Sequence, residues 1–460
     1  MTATLSDPSR APRDPVSHRA RRPAGTAPAD RVPRRRTLNT PATLRALLAA
    51  VVLLSLAWGA LGGWVASQHS SAAGALVAVD EPLNADARQM YQSIADADVT
   101  ITEAFLASSE PFTSTEPPLS QLQLYQRDIS VAASDDAAML RAAGGNQTER
   151  AALDAIASGL PVYTGDVATA QASYTLDHFL TGGSFLQVAS EEAHLVLLPN
   201  AKAVFTQEND ALTAASGQAT DLPTIIAALV LAVLTAVVLY RAQRWLARRT
   251  NRVLSVGLAL TSVLLVGSGL WLAAAFLGAR SDLDHAIGQG SGPAANLAFA
   301  AIDVQQIRGD AVLNVISRSS NAAFQDDFQT VSTKVGPGTG SLLSAAAAAQ
   351  GGDANGASWV AAAEREATPW YAANNSVYSL GSAANYVGER AAVITRTAAG
   401  YTALESDINE AIAADETVFT SAATSAQQAL DPIEAVVIVA SLLMALGCGW
   451  AFSRRLAEYR

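Results

Sequence analysis

Apolar residues are bunched along this chain. Four runs, Leu47 to Ala66, Leu222 to Tyr240, Val253 to Ala279 and Ala435 to Phe452, carry no charge in their interiors. As helices, each is about long enough to cross a hydrocarbon layer of ~30 Å. The first run is longer than the apolar core of a typical signal peptide and begins well inside the chain, so it reads as a span. Between the runs the pattern changes to helical periodicity. Leu83, Ala87, Met90, Ile94, Ala97, Ile101 and Ala104 recur at spacings of four and three, which is a heptad seam. Val304, Ile307, Ala311 and Val315 begin a similar stripe, and Tyr401, Leu404, Ile408, Ala411 and Val418 carry one toward the fourth run. Strand-like alternation is nearly absent.

This pattern divides the chain into a tail (1–42), a first span (43–66), a helical segment (67–221), a second span (222–240), a link (241–252), a third span (253–279), a second helical segment (280–432), a fourth span (433–452) and a tail (453–460). The two helical segments match in length but hardly in residue identity, a duplication in plan. Pro111, Pro117-Pro118, Gly144-Gly145-Asn146, Pro161 and Gly182-Gly183 are expected to interrupt the first segment. Gly336-Pro337-Gly338-Thr339-Gly340, Gly351-Gly352-Asp353 and Pro369 are expected to interrupt the second. Four helices per segment is the simplest count, with the end helices running on into the spans and short loops enforcing an up-and-down bundle.

Charge fixes an orientation. The two tails and the link, with Arg45 at the edge of the first span, hold eighteen arginines against four acids, whereas the two helical segments, with Glu434 at the edge of the fourth span, hold twelve basic residues against 37 acids. Positive residues near span ends stay in the cytoplasm. The predicted fold class is therefore an all-α membrane protein with four transmembrane helices and two extracytoplasmic antiparallel helical bundles of the four-helix type. The expected place is the inner membrane, multi-pass, with both termini cytoplasmic. Residues 1–42 carry seven of the eighteen prolines and almost no large apolar residue, the composition of a disordered basic tail. Cys448, the only cysteine, lies in an apolar run, so no intrachain disulfide is available.

Candidate chemistry is sparse. Glu191 and His194 share a helix face, but two groups do not make a metal site, and the pair reads as a solvated face. Gly336 to Gly340 is followed directly by Ser341, without the lysine a phosphate loop requires between them, and reads as an interhelical loop. No nucleophile, base and orienting group stand out. The expectation is therefore no enzyme activity, no catalytic, metal or cofactor-binding residues, no cofactor and no nucleic-acid partner. Arg308, Arg318 and Arg88 could each hold a carboxylate ligand in a bundle groove, against the plainer reading of a solvated helix surface. Arg241, Arg244, Arg248, Arg249 and Arg252 in the link are candidates for contact with lipid headgroups or a cytoplasmic partner. Gly59 and Gly63 form a GxxxG pair that would permit close helix approach.

A heptad-patterned bundle whose end helices cross the bilayer resembles the sensor module of bacterial chemoreceptors and histidine kinases, although only Ser453 to Arg460 follows the last span. The whole layout also resembles the actinobacterial four-span membrane protein encoded beside a glutamine-binding lipoprotein and the serine/threonine protein kinase G. The features shared are the arginine- and proline-rich start, Thr43-Leu44-Arg45 entering the first span, and the ending Arg455-Leu456-Ala457-Glu458-Tyr459-Arg460. That resemblance implies a transmembrane signal transducer. It would relay the state of a ligand or solute-binding lipoprotein outside, with amino acids such as glutamine or glutamate as the signal, to a cytoplasmic protein kinase. The rival expectation is an envelope scaffold or a transporter accessory subunit. A homo-oligomer is compatible with either.

Overall fold

The computed structural model describes residues 40–108, 119–176, 178–250, 256–317, 322–335, 338, 340–350 and 354–457. Most of the basic tail, Pro111, Pro117-Pro118, Arg252, Arg318, Gly351 to Asp353 and residues 458–460 lie outside the described residues, as do Gly336, Pro337 and Thr339 of the glycine-rich stretch. Among the described residues every regular element is a helix, and four helices are long and apolar enough to cross a membrane. The all-α membrane fold is as the periodicity predicts.

Long rods organise the chain. The first joins α1 (Thr40–Ala75) to α2 (Glu81–Ser108) through a π-helical turn, π1 (Leu76–Asp80). After α3 (Leu119–Ala142) and α4 (Gln147–Thr175), a second rod joins α5 (Phe179–Glu192) to α6 (Leu198–Ala219) through π2 (Ala193–Leu197). Helix α7 (Leu222–Thr250) follows. The second half opens with α8 (Val256–Ala286), π3 (Ile287–Ser291) and α9 (Gly292–Ser317). Then come α10 (Ala322–Val335), α11 (Leu342–Ala349), α12 (Ala354–Ser382), α13 (Tyr386–Ala392), π4 (Val393–Thr397) and α14 (Ala398–Ala457). The single α3 of the first half thus corresponds to two helices, α10 and α11, in the second.

The duplication that the sequence shows only in length is explicit in this order. Each half carries one π turn in its opening rod and one in its closing rod. Helices α4 and α12 are both 29 residues long, and each has a proline followed two residues later by a buried tyrosine, Pro161 with Tyr163 and Pro369 with Tyr371.

Two expected breaks do not occur. Proline inside a helix costs about 3 kcal/mol, yet α4 runs through Pro161 and α12 through Pro369. Burial of Leu160 and Tyr163 around the one, and of Trp370 and Tyr371 beside the other, holds both helices together. Gly182 and Gly183 lie within α5, and the break comes earlier, between Thr175 and Phe179. A Cβ on Gly183 would meet Ile316 Cγ2 at 3.2 Å, and one on Gly182 would strike the Tyr174 ring, so this pair serves close packing. Gly144, with φ +52°, does end α3, and Asn146 caps α4 by accepting from the Glu149 backbone N–H.

The heptad stripes face inward as their spacing requires. Ala87, Met90, Ile94, Ala97, Ile101 and Ala104 are buried, as are Val304, Ile307, Ala311 and Val315. They share one apolar core with residues of both halves, from Ala87 through Ile412, so the two segments form a single polar-surfaced unit. A second core runs among the apolar spans, and a third joins Val51, Leu239, Ala242, Leu246, Leu258 and Cys448. That third core gathers the start of α1, the end of α7, the start of α8 and the end of α14, so the arginine-rich segments adjoin one end of the molecule and the acidic unit the other.

Within the apolar part α14 packs against both α1 and α8. Gly63 of α1 brings the backbone close to Ile438, and Gly59 stands against Ser441, which gives the GxxxG pair a packing role. A Cβ on Gly257 would lie 2.6 Å from the Gly447 carbonyl oxygen. Trp58, which composition alone would place with the interfacial aromatics, is fully enclosed and donates from Nε1 to Ser268 Oγ at 3.3 Å. Thr235, Thr261 and Ser262 donate to carbonyls of their own helices, whereas the Ser55 hydroxyl is buried without a partner.

Candidate functional site

Where α2 and α9 meet, at the centre of the acidic unit, the apolar core is interrupted by a layer of charged groups. Burying a charge without partners costs several kcal/mol, so this layer is the most constrained part of the molecule. It also touches two of the π turns, elements that recur at functional sites because the extra residue re-aims side chains and carbonyls.

Arg308 stands at its centre, with its side chain 4% exposed. It donates from Nε to Glu103 Oε1 at 2.7 Å, and from Nη1 to Thr397 Oγ1 at 2.7 Å and the Val393 carbonyl at 3.1 Å. Its guanidinium carbon lies 5.7 Å from the centre of the Tyr401 ring. One side chain therefore ties α9 to α2 of the other half and to the first and last residues of π4. Beside it, the Gln305 amide donates to Asp96 and, at 3.4 Å, to Glu405 Oε1, which also accepts from Tyr401 Oη at 2.8 Å.

On the other flank Asp98 accepts from Ser190 Oγ at 2.8 Å and from Tyr163 Oη at 3.3 Å. His194, the second residue of π2, has Nε2 3.5 Å from Asp98 and Nδ1 3.9 Å from Asp310. Further ties across the halves are Arg390 to the Leu106 carbonyl at 3.3 Å and the Arg88–Glu416 ion pair. Within the second half, Asn314 donates to Glu389 at 2.5 Å.

Several carboxyls here hold their protons more tightly than free ones. Asp96 is pushed up to about 7, first by burial and then by the neighbouring carboxylates of Glu405 and Asp128. Burial likewise raises Glu405. Glu208 is pushed up to about 7 by burial and then by Glu149, and Asp136 to about 6 by burial and then by Asp154. A folded-state value above the ordinary one means that protonation favours folding. The contribution is complete below about pH 4, where the unfolded carboxyl is also protonated, and is lost as pH rises through about 7. The expected result is a larger unfolding free energy near pH ~5 than near pH ~8 in denaturant titration, with Asp96→Asn narrowing the gap by on the order of 1 kcal/mol. Equal pH dependence in the variant and the parent would remove Asp96 from the explanation.

The residues singled out by sequence fall in different places. Arg308 is inside the layer, which makes it neither a solvated surface residue nor a free anion site. Arg88 is half-buried and paired with Glu416 beside a small cleft that includes Asn84 and Phe205. Arg241, Arg244 and Arg248 are exposed near the end of α7, and Arg244 donates to Tyr240 Oη at 3.1 Å. His194 departs from the solvated-face expectation, because its π turn rotates the ring inward between two carboxylates with its side chain only 11% exposed. Among the described residues no group of three or more His, Cys, Asp or Glu side chains converges as metal ligands would. The sequence reading missed Glu103, Asp98 and Thr397. Asp98 could have been found, since it lies four residues after Ile94 and three before Ile101, on the edge of the buried stripe.

Four apolar helices, three of them continuous with the rods of a helical polar unit, make this an all-α membrane protein, and one family comparison supports a sensing role for part of that unit. The comparison is specific about place. Residues 72–217 match the family described as actinobacterial sensor domain, a stretch that runs from the last turn of α1 almost to the end of α6. Comparisons with curated proteins and with solved structures found no match.

Proposed function

We propose that this chain is a transmembrane signal transducer of the inner membrane, with both termini cytoplasmic and the acidic unit outside. The unit would read a ligand, or a solute-binding lipoprotein whose cargo is an amino acid such as glutamine or glutamate. A cytoplasmic serine/threonine kinase would take the output at Arg241 to Arg252 and the tails. The observation that carries this reading is helix continuity. Three of the four apolar spans run without interruption into the rods that meet at the charged layer: α1–π1–α2, α8–π3–α9 and α14 with π4. A displacement at the layer would therefore be delivered to the arginine end as tilt or sliding of rigid rods. The match of residues 72–217 to a sensor family supports the same role.

Crosslinking from native membranes is expected to recover an extracytoplasmic binding protein and a cytosolic kinase, with the second attachment depending on the state of the first. Flexible glycines inserted at Ala66 to Gln68, or at Gln428 to Asp431, should spare expression and both attachments while removing that dependence. Persistence of the dependence after insertion would refute a rigid relay.

A further inference from the structure

One rod behaves unlike the others. Between α6 and α7 the helix is broken at Thr220 and Asp221, at the level where the apolar part of α7 begins. The break has a local cause. The Ala219 carbonyl would ordinarily accept from the N–H four residues on, but that residue is Pro223, which has none. His69 of α1 takes its place, with Nδ1 donating to the Ala219 carbonyl at 2.8 Å and Nε2 2.9 Å from Thr224 Oγ1. The ring is 3% exposed and stands edge-on to Phe276.

Beside this joint lies a groove of about 320 Å³ lined by Gln68, His69, Gly217, Gln218, Asp221 and Thr224, with Ala214 completing the wall. That volume is in the range of small-molecule sites, about 300 to 1,000 Å³. Its height is set by the chain itself, since the apolar run of the first span ends at Ala66 and that of the second starts at Leu222. In a bilayer this is the headgroup layer. The lining has one full charge, the Asp221 carboxylate, and two exposed primary amides, Gln68 and Gln218, able to donate. No lysine or arginine lines it.

We propose that this groove binds the headgroup of a phospholipid bearing a primary ammonium, with the ammonium donating to Asp221 and the phosphate oxygens accepting from the amides of Gln68 and Gln218. The inference rests on reading the apolar helices as membrane spans and is independent of the signalling role. An anionic headgroup without an ammonium would meet the Asp221 carboxylate, and a trimethylated ammonium has no N–H to donate to it. The bound headgroup would sit against the break, so lipid composition would act on the angle between α6 and α7.

The test uses the full chain in nanodiscs of phosphatidylethanolamine, phosphatidylcholine or phosphatidylglycerol, followed by native mass spectrometry of retained lipid. Preferential retention of phosphatidylethanolamine is expected, and Asp221→Asn should reduce it about twofold to fivefold, the range for an exposed ion pair. Gln218→Ala should lower retention of phosphatidylethanolamine while leaving the fold intact by circular dichroism. Equal retention of the ethanolamine and choline lipids, or an unchanged preference in Asp221→Asn, would overturn the proposal. So would binding of soluble phosphoethanolamine in detergent without retention of the lipid.

Discussion

Replacing Arg308 by leucine should lower the unfolding free energy of the acidic unit by on the order of 3 kcal/mol, the usual cost of removing one partner from a buried ion pair. The loss comes less from the contact itself than from what is left behind. Glu103, 28% exposed, would keep a carboxylate facing the space vacated by the guanidinium, and Thr397 and the Val393 carbonyl would each lose a donor. Lysine should recover only part of the loss, because a single ammonium cannot point at Glu103 on one side and at Thr397 and Val393 on the other as the planar fork does. Removing both charges, as in Arg308→Met with Glu103→Gln, should restore much of the stability. Unfolding of the full chain in detergent reads all three variants. A single variant as stable as the parent would show that the layer is not a point of constraint.

Gly290→Leu should be comparably severe, for a reason of shape. Gly290 belongs to π3, where α8 passes α14, and a Cβ there would lie 2.8 Å from the Phe419 backbone nitrogen and 2.9 Å from its Cα. Backbone cannot rotate out of the way as a side chain can, so the two rods must separate. Overpacking of a tight contact costs about 1 to 3 kcal/mol and occasionally more, and leucine, larger than the methyl of alanine, should reach the upper end. Cysteine pairs placed across α8 and α14 would read the separation directly as slower disulfide formation. Unchanged crosslinking would mean that the rods are not held at this crossing.

Much of this architecture was legible in the sequence, and the limits of that legibility have physical causes. The spans and seams were visible because hydrophobic spacing maps directly onto which helix face is buried, as Ile94, Ile101 and Ile307 show. The passage of α4 through Pro161 was not, because local chain preference opposes it and only tertiary burial overrides it. The π turns leave no mark in the hydrophobic period, and His194 turns inward because of one. The ion pair of Arg308 with Glu103 joins residues about two hundred positions apart, and spacing carries no information about such a meeting. Even so, Arg308 directly follows the seam residue Ile307, and a charge on a stripe that must be buried is a sequence-level sign of a partner elsewhere.

The common core of the two halves has a consequence for how the protein can be handled. A repeated unit whose copies still stood side by side could be cut apart, swapped or shortened, each copy keeping its own interior. Here the copies have merged, with Ile94, Leu153 and Phe205 packed into the same interior as Leu297, Trp370 and Leu404. Separated, each would present to water the greasy surface it now gives to its twin. The separate halves should therefore be insoluble alone but mutually rescuing when made together.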